Sequence, residues 1–193
     1  QKIRFNLADQ AAARAAVLRR SDLGSGADWK GGAKKPDLTT TDACPNYNPK
    51  QSDLVLTGIA ETQFTQGILA FDSEVQVLET PRMVRLDWRR SVLAPGVLPC
   101  LRDTTTRGLP AGATVVSVKR IPFPHVAPYT AAFRLITDVR APSATVRLFV
   151  DLVLFGSGRT ESSLTTSAPY SARVPVKAAE IRLAKILAAR VRA

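Results

Sequence analysis

Histidine occurs once, methionine once and cysteine twice in this 193-residue chain. These shortages close off several kinds of chemistry. A structural zinc site takes about four nitrogen or sulfur ligands. Two cysteines and one histidine do not supply them, so no metal is expected, and no other cofactor either. A cysteine nucleophile would need His125 as its base. That histidine stands in IPFPHVAP, a proline-bracketed connection between strands, and reads as an exposed loop residue. No apolar run approaches the ~18 residues of a membrane helix. The longest, VRLFVDLVLF at 146–155, is interrupted by Arg147 and Asp151. The GSG at 156–158 is a hairpin rather than a phosphate loop, because no helix follows it. The chain opens QKIRFNLADQ, with neither methionine nor an apolar core, so a signal peptide or anchor is expected upstream.

What is present is enough for a core. Hydrophobic residues make up 45% of the chain, and the length suits one generous domain. The formal charge is +11. A basic surface attracts nucleic acid, anionic lipid or acidic wall polymers. Here the basic residues are scattered, with no block of five or six and no nucleic-acid-binding motif. Nucleic acid is therefore not an expected partner. An anionic cell-wall polymer, lipid or another envelope protein is. Arginine outnumbers lysine, and alanine and proline are plentiful, a bias of GC-rich bacterial genomes.

Residues 6–20 read as a helix, with Asn6 as N-cap, Asp9 in the first turn, and Leu7, Ala11, Ala15 and Leu18 as its apolar stripe. Residues 21–52 lose all periodicity and read as one long loop. Strands follow over 53–67 and 68–79. In the second, Phe71, Val75 and Val77 share one face, and Asp72, Glu74 and Gln76 the other. Thr80 and Pro81 open a helix that Pro95-Gly96 stops. Val84, Trp88 and Val92 would share one of its faces, Leu86 and Leu93 another, and Arg82, Arg85 and Arg89 a third. Strand candidates then run over 114–123, 129–139, 144–155 and 159–167, joined at 141–143 and 156–158 by hairpins. A helix over 175–193 closes the chain, with Val176, Leu183, Leu187 and Val191 inward and Lys177, Arg182, Lys185 and Arg192 outward. The order predicts a single α+β domain over 1–193: an antiparallel sheet with helices packed on one face. The alternative is a cone-shaped, cystatin/NTF2-like sheet curved around one long helix.

The two cysteines, Cys44 and Cys100, lie far apart in sequence. With metal and catalysis disfavoured, the remaining reading is a disulfide that pins the long loop beside the helical segment after Trp88. It would form in an oxidising compartment.

AARAAVLRRSDLGSGADWKGGAKKPD resembles the opening of many actinobacterial exported proteins: an Ala/Arg helix, a turn carrying Asp22-Leu23-Gly24 and Trp29, then a loop ending in a cysteine. RSVLAPGVLPCL (90–101) resembles the stretch that carries the second cysteine, and LAKILAARVRA the closing helix. These proteins are similar to the extracellular sensor domains of mycobacterial receptor serine/threonine kinases and to small lipoproteins of the PsbP-like fold. The sensor domains typically hold a second disulfide, for which this chain has no cysteines. The resemblance implies a non-catalytic binding or sensing module, extracellular or at the cell envelope, and defines no catalytic residues. Its ligand would sit between the open sheet face and the long loop, or along the arginine-rich helices. Residues expected at such a surface are Arg82, Arg85 and Arg89, Arg147 with Asp151, Glu161 with Arg159, and Trp29 packed with Trp88 near the disulfide. Tyr129, Phe133 and Phe149 read as core before cleft. The competing classes are a hydrolase using an exposed carboxylate and a scaffold that pairs through its sheet. The sequence leaves ligand and oligomeric state open.

Overall fold

A computed structural model describes residues 1–25, 28–38, 44–140 and 144–192. Eight strands form one open sheet: β1 (Lys2–Ile3), β2 (Lys30–Lys34), β3 (Val55–Gln66), β4 (Leu69–Leu78), β5 (Ala113–Arg120), β6 (Tyr129–Arg140), β7 (Thr145–Ser157) and β8 (Thr160–Pro169). Their order is β1-β3-β4-β8-β7-β6-β5, with β2 also on β3. Every pairing is antiparallel except that of β1 with β3. The last four strands make the expected meander, and β8 returns beside β4. The hairpin connection expected at 141–143 lies outside the described residues.

β2 falls inside the stretch that reads as loop. Its sequence, KGGAK, has no apolar alternation to announce a strand. A Cβ on Gly31 would stand 2.1 Å from the Gln63 carbonyl oxygen of β3, at a φ of +113° that L residues avoid. Only glycine allows so close a pairing.

Alternate residues of each strand face opposite sides. On the first side Phe64, Phe71, Val75, Ala132, Phe149, Val153, Phe155 and Leu164 form one dry core. Two helices cover it, α1 (Leu7–Ala16) and α4 (Arg173–Arg190). From α4 come Val176, Leu183, Leu187 and, just beyond it, Val191, as its spacing predicts. Lys177 is an exception to the outward set: it reaches Glu180 at 2.8 Å and lies over the Phe123 ring.

α1 is capped as expected, Asn6 Oδ1 accepting from the Asp9 N–H at 2.9 Å. Of its expected stripe Leu18, just past the helix end, is buried, but the rest is not. Asp9, Ala13 and Ala16 are buried, Leu7 is 92% exposed, and Ala11 and Ala15 face solvent. The helix lies directly on β3, where a Cβ on Gly58 would be 2.3 Å from the Asp9 carbonyl oxygen. Only small side chains fit so narrow a gap, so the stripe is alanine and the leucine is displaced.

The second side is covered by a different segment, so helices lie on both faces rather than one. Thr80 Oγ1 caps α2 (Pro81–Asp87) by accepting from the Met83 N–H. One π-helical turn (Trp88–Val92) follows, closed by the Leu93 N–H donating to the Trp88 carbonyl. After Pro95-Gly96 comes α3 (Val97–Gly108), to which the sequence pattern assigns no element of its own. Its CLRDTTTRG run has low helix propensity. In the fold, Thr104, Thr105 and Thr106 bond back to the carbonyls of Cys100, Leu101 and Arg102, the four-residue pattern by which threonines fit a helix. Val84, Trp88 and Val92 are all buried as the spacing predicts, Val84 against Leu56, Ile59 and Leu78, whereas Leu93 is 51% exposed. Trp88 and Val92 pack on Ala131 and Phe133 of β6, the neighbours of the core residue Ala132.

Cys44 and Cys100 are joined in a disulfide, Cα atoms 5.5 Å apart. Beside it the Tyr47 hydroxyl donates to the Ser91 carbonyl at 2.6 Å. The turn at 44–47 is thereby fixed to both α3 and the π turn.

Candidate functional site: an acidic cleft on the second sheet face

The period of two that buries Phe71, Val75 and Val77 in the core sends Asp72, Glu74 and Gln76 to the second face. Pairing then lines up more acid beside them. Glu74 stands opposite Glu61 of β3, and Gln76 opposite Glu161 of β8. α2 covers only part of this region and ends over it with Asp87.

Between them lies a cavity of about 310 Å³, lined by Glu74, Gln76, Asp87, Glu161, Ser91 and Ser163, with Trp88, Val92, Leu152 and Leu154 as its apolar wall. A second cavity, of about 250 Å³, shares Glu74, Gln76 and Asp87 and continues to Asp37, Leu38 and Gln51 of the long loop. The two form one cleft. Four of the chain's 16 acidic residues line it, and among the described residues no lysine or arginine does.

The carboxyls are not simply solvated. Burial, with Asp87 adjacent, pushes Glu161 up to about 9, so at neutral pH it holds its proton beside a carboxylate. Asp87 accepts from the Ser91 hydroxyl at 2.6 Å. Burial also raises Glu74 and Asp72, opposed by amides that donate to them at 2.7 Å: Gln76 Nε2 to Glu74 and Gln63 Nε2 to Asp72. Lys34 closes one rim by binding Glu61 at 2.7 Å. Such a cleft offers hydrogen-bond acceptors and negative charge in a partly dry setting. Its Glu161–Asp87 pair can hold or release a proton.

The residues singled out from the sequence are dispersed. Arg82, Arg85 and Arg89 do share a face, but they line a separate groove of about 470 Å³ with Leu86, Trp88, Leu93 and Tyr129. Arg147 and Asp151 do not pair: four residues along one strand separate them by about 13 Å. Arg147 instead binds Asp138 across the hairpin at 2.7 Å. Asp151 is not on an open face. It is 1% exposed under α4 and held by the Arg134 guanidinium. Arg159 turns from Glu161 to Asp9, at 2.8 Å. Trp29 is core, its ring 5.6 Å from Phe71 on the first face, while Trp88 pairs with Tyr129 on the second. The two tryptophans therefore never meet. Phe133 and Phe149 are fully buried, on opposite faces. His125 is exposed. Among the described residues no group of three or more His, Cys, Asp or Glu is placed to hold a metal ion. No described helix is long and apolar enough to cross a membrane.

Sequence reasoning missed Glu74, Asp87 and Glu161 as a group. The polar face of β4 was legible. That β8 would return beside it, and α2 close over it, was not. No protein-family model matches the chain, and no curated protein matches it either.

Proposed function

We propose that this chain is a non-catalytic binding or sensing module of the bacterial cell envelope, of the PsbP-like kind, which takes a small organic cation in the acidic cleft. One observation carries the reading: in a chain of net charge +11, Glu74, Asp87 and Glu161 line one ligand-sized cavity with no lysine or arginine among its described lining residues. Desolvating carboxyls costs folding stability, and a cation returns it by supplying the missing counter-charge. Trp88 offers a ring wall of the sort that receives ammonium or guanidinium groups. The Cys44–Cys100 disulfide supports an oxidising, extracytoplasmic location. Isothermal titration with 1,4-diaminobutane, choline and arginine methyl ester tests the ligand class. At least one should bind and release a proton from Glu161, with heat that varies with buffer ionisation. Binding should vanish in Glu74→Gln/Glu161→Gln. Preference for citrate, or cation binding that survives the double variant, would refute it.

A second reading rests on the Glu161–Asp87 pair, since a carboxyl that keeps its proton beside a second carboxyl is the equipment of acid–base hydrolysis. Turnover of chromogenic ester, amide or glycoside substrates that Glu161→Gln abolishes would replace the binding reading.

A further inference from the structure

The arginines of this chain are mostly engaged. Arg90 is clamped to Asp53 at 2.7 Å, Arg134 to Asp151, Arg147 to Asp138, Arg159 to Asp9 and Arg190 to Asp22. Arg82, Arg85 and Arg89 form none of these ion pairs and are all exposed. Their spacing places them on one stripe of α2 and the π turn. Beside the stripe runs the groove of about 470 Å³ walled by Leu86, Trp88, Leu93 and Tyr129. Leu93 stands half out of it, 51% exposed, swung outward where the π turn ends. The presentation is rigid. The Tyr47 hydroxyl holds Ser91, Arg120 donates to the Val92 carbonyl at 2.9 Å, and the disulfide fixes Cys100 just beyond.

We propose that this face docks on an anionic lipid surface. The three guanidinium groups engage headgroup phosphates, and Leu93 with the groove's aromatic edge enters the interfacial layer. Charge complementarity calls for a polyanion, and the apolar half selects lipid over a hydrophilic wall polymer. Basic residues next to leucine and interfacial aromatics are what that boundary binds. The inference is independent of the cleft: the groove shares only Trp88 with it.

The test is co-sedimentation of the full chain with vesicles of phosphatidylcholine, with and without phosphatidylglycerol, at 0.1 M salt. Binding is expected only with phosphatidylglycerol. Arg82→Gln/Arg85→Gln/Arg89→Gln should weaken it about a hundredfold, each arginine near the surface contributing about fivefold. Leu93→Ser, which leaves the charge unchanged, should weaken it severalfold. Arg14→Gln/Lys185→Gln/Arg192→Gln, the same charge loss on other surfaces, should leave it within twofold. Near-ultraviolet circular dichroism identifies variants that keep the fold. Three outcomes overturn the proposal: no binding to phosphatidylglycerol; equal loss in the two triple variants, which means net charge alone; or tighter binding to soluble polyglutamate with no effect of Leu93→Ser, which means a polymer site.

Discussion

Replacing Glu161 by glutamine should make this protein more stable, and most so at alkaline pH. The folded chain raises Glu161 from 4.5 to about 9, through burial first and then the charge of Asp87. At pH 7 the unfolded chain has shed this proton and the folded chain keeps it. The difference costs on the order of 3 kcal/mol. The amide of glutamine carries no charge but must still be desolvated, which returns about 1 kcal/mol. The expected net gain at pH 7 is about 2 kcal/mol, or about 4–8 °C in Tm for a chain of this size.

The sign of the pH dependence follows from the raised value. The cost is absent below pH 4.5, grows as pH rises, and levels off above 9. Over that window the wild type should lose up to about 1.4 kcal/mol per pH unit relative to Glu161→Gln. Asp72 and Glu74, also raised by burial, add a slope of the same sign that both proteins share. Urea unfolding at pH 5, 7 and 9 measures it. Parallel pH profiles for the two proteins, or a Glu161→Gln variant less stable than wild type at pH 8, would refute the assignment of a half-buried, protonated Glu161. The same substitution should abolish cation binding, so stability and function would move in opposite directions at one residue.

Other expectations are as concrete. Cys44→Ser/Cys100→Ser opens a covalent loop spanning 56 positions, so urea unfolding should show a loss of about 4 kcal/mol, and the unreduced wild type should titrate no free thiol. Gly58→Ala forces a methyl group against the Asp9 carbonyl 2.3 Å away and should cost more than about 2 kcal/mol, with α1 the first element to lose hydrogen-exchange protection. Asp9 is held down to about 2 by hydrogen bonds from Arg159 first, so its contribution is complete above about pH 4 and fades as pH falls through 2. Because Arg159 is 42% exposed, solvent screening limits that contribution, and Asp9→Asn should cost about 1 kcal/mol at pH 7 and almost nothing at pH 2.

The parts of the fold that the sequence discloses are those where one local rule acts alone. β4 and the β5–β8 meander announce themselves by alternation, α4 by its inward leucines, and α2 by the Thr80-Pro81 start. Misreadings fall where a tertiary contact overrides the local signal. β2 exists because Gly31 lets it press onto β3, and α3 because Val97, Leu98 and Leu101 pack against Trp88, Val92 and Phe133. The stripe of α1 is alanine rather than leucine because Gly58 brings β3 so close. The cleft fails to appear for a related reason. Glu74, Asp87 and Glu161 belong to three elements whose adjacency depends on β8 crossing back to β4, and no spacing in one segment encodes that.

The two faces of the sheet differ in how their polar and charged groups are met. On the first, Asp9, Asp22 and Asp151 each meet an arginine and the buried Glu180 meets Lys177, although the Trp29 indole N–H is buried without a partner. On the second, local rules are broken repeatedly within one short segment and the strands beneath it. Carboxyls face one another across β3, β4 and β8. Three arginines stand outside the ion pairs that hold their neighbours, Leu93 points to solvent, and the helix widens into a π turn, a distortion that concentrates at functional sites. Burial of the carboxyls costs stability that a chain selected for folding alone would have kept, and such violations gather where function requires them. Trp88 lies at their centre, with one flank on the acidic cleft and the other on the arginine groove. The disulfide and the Tyr47–Ser91 bond hold that segment at fixed height over the sheet. A rigid frame under a locally unfavourable surface is the arrangement expected of a recognition surface.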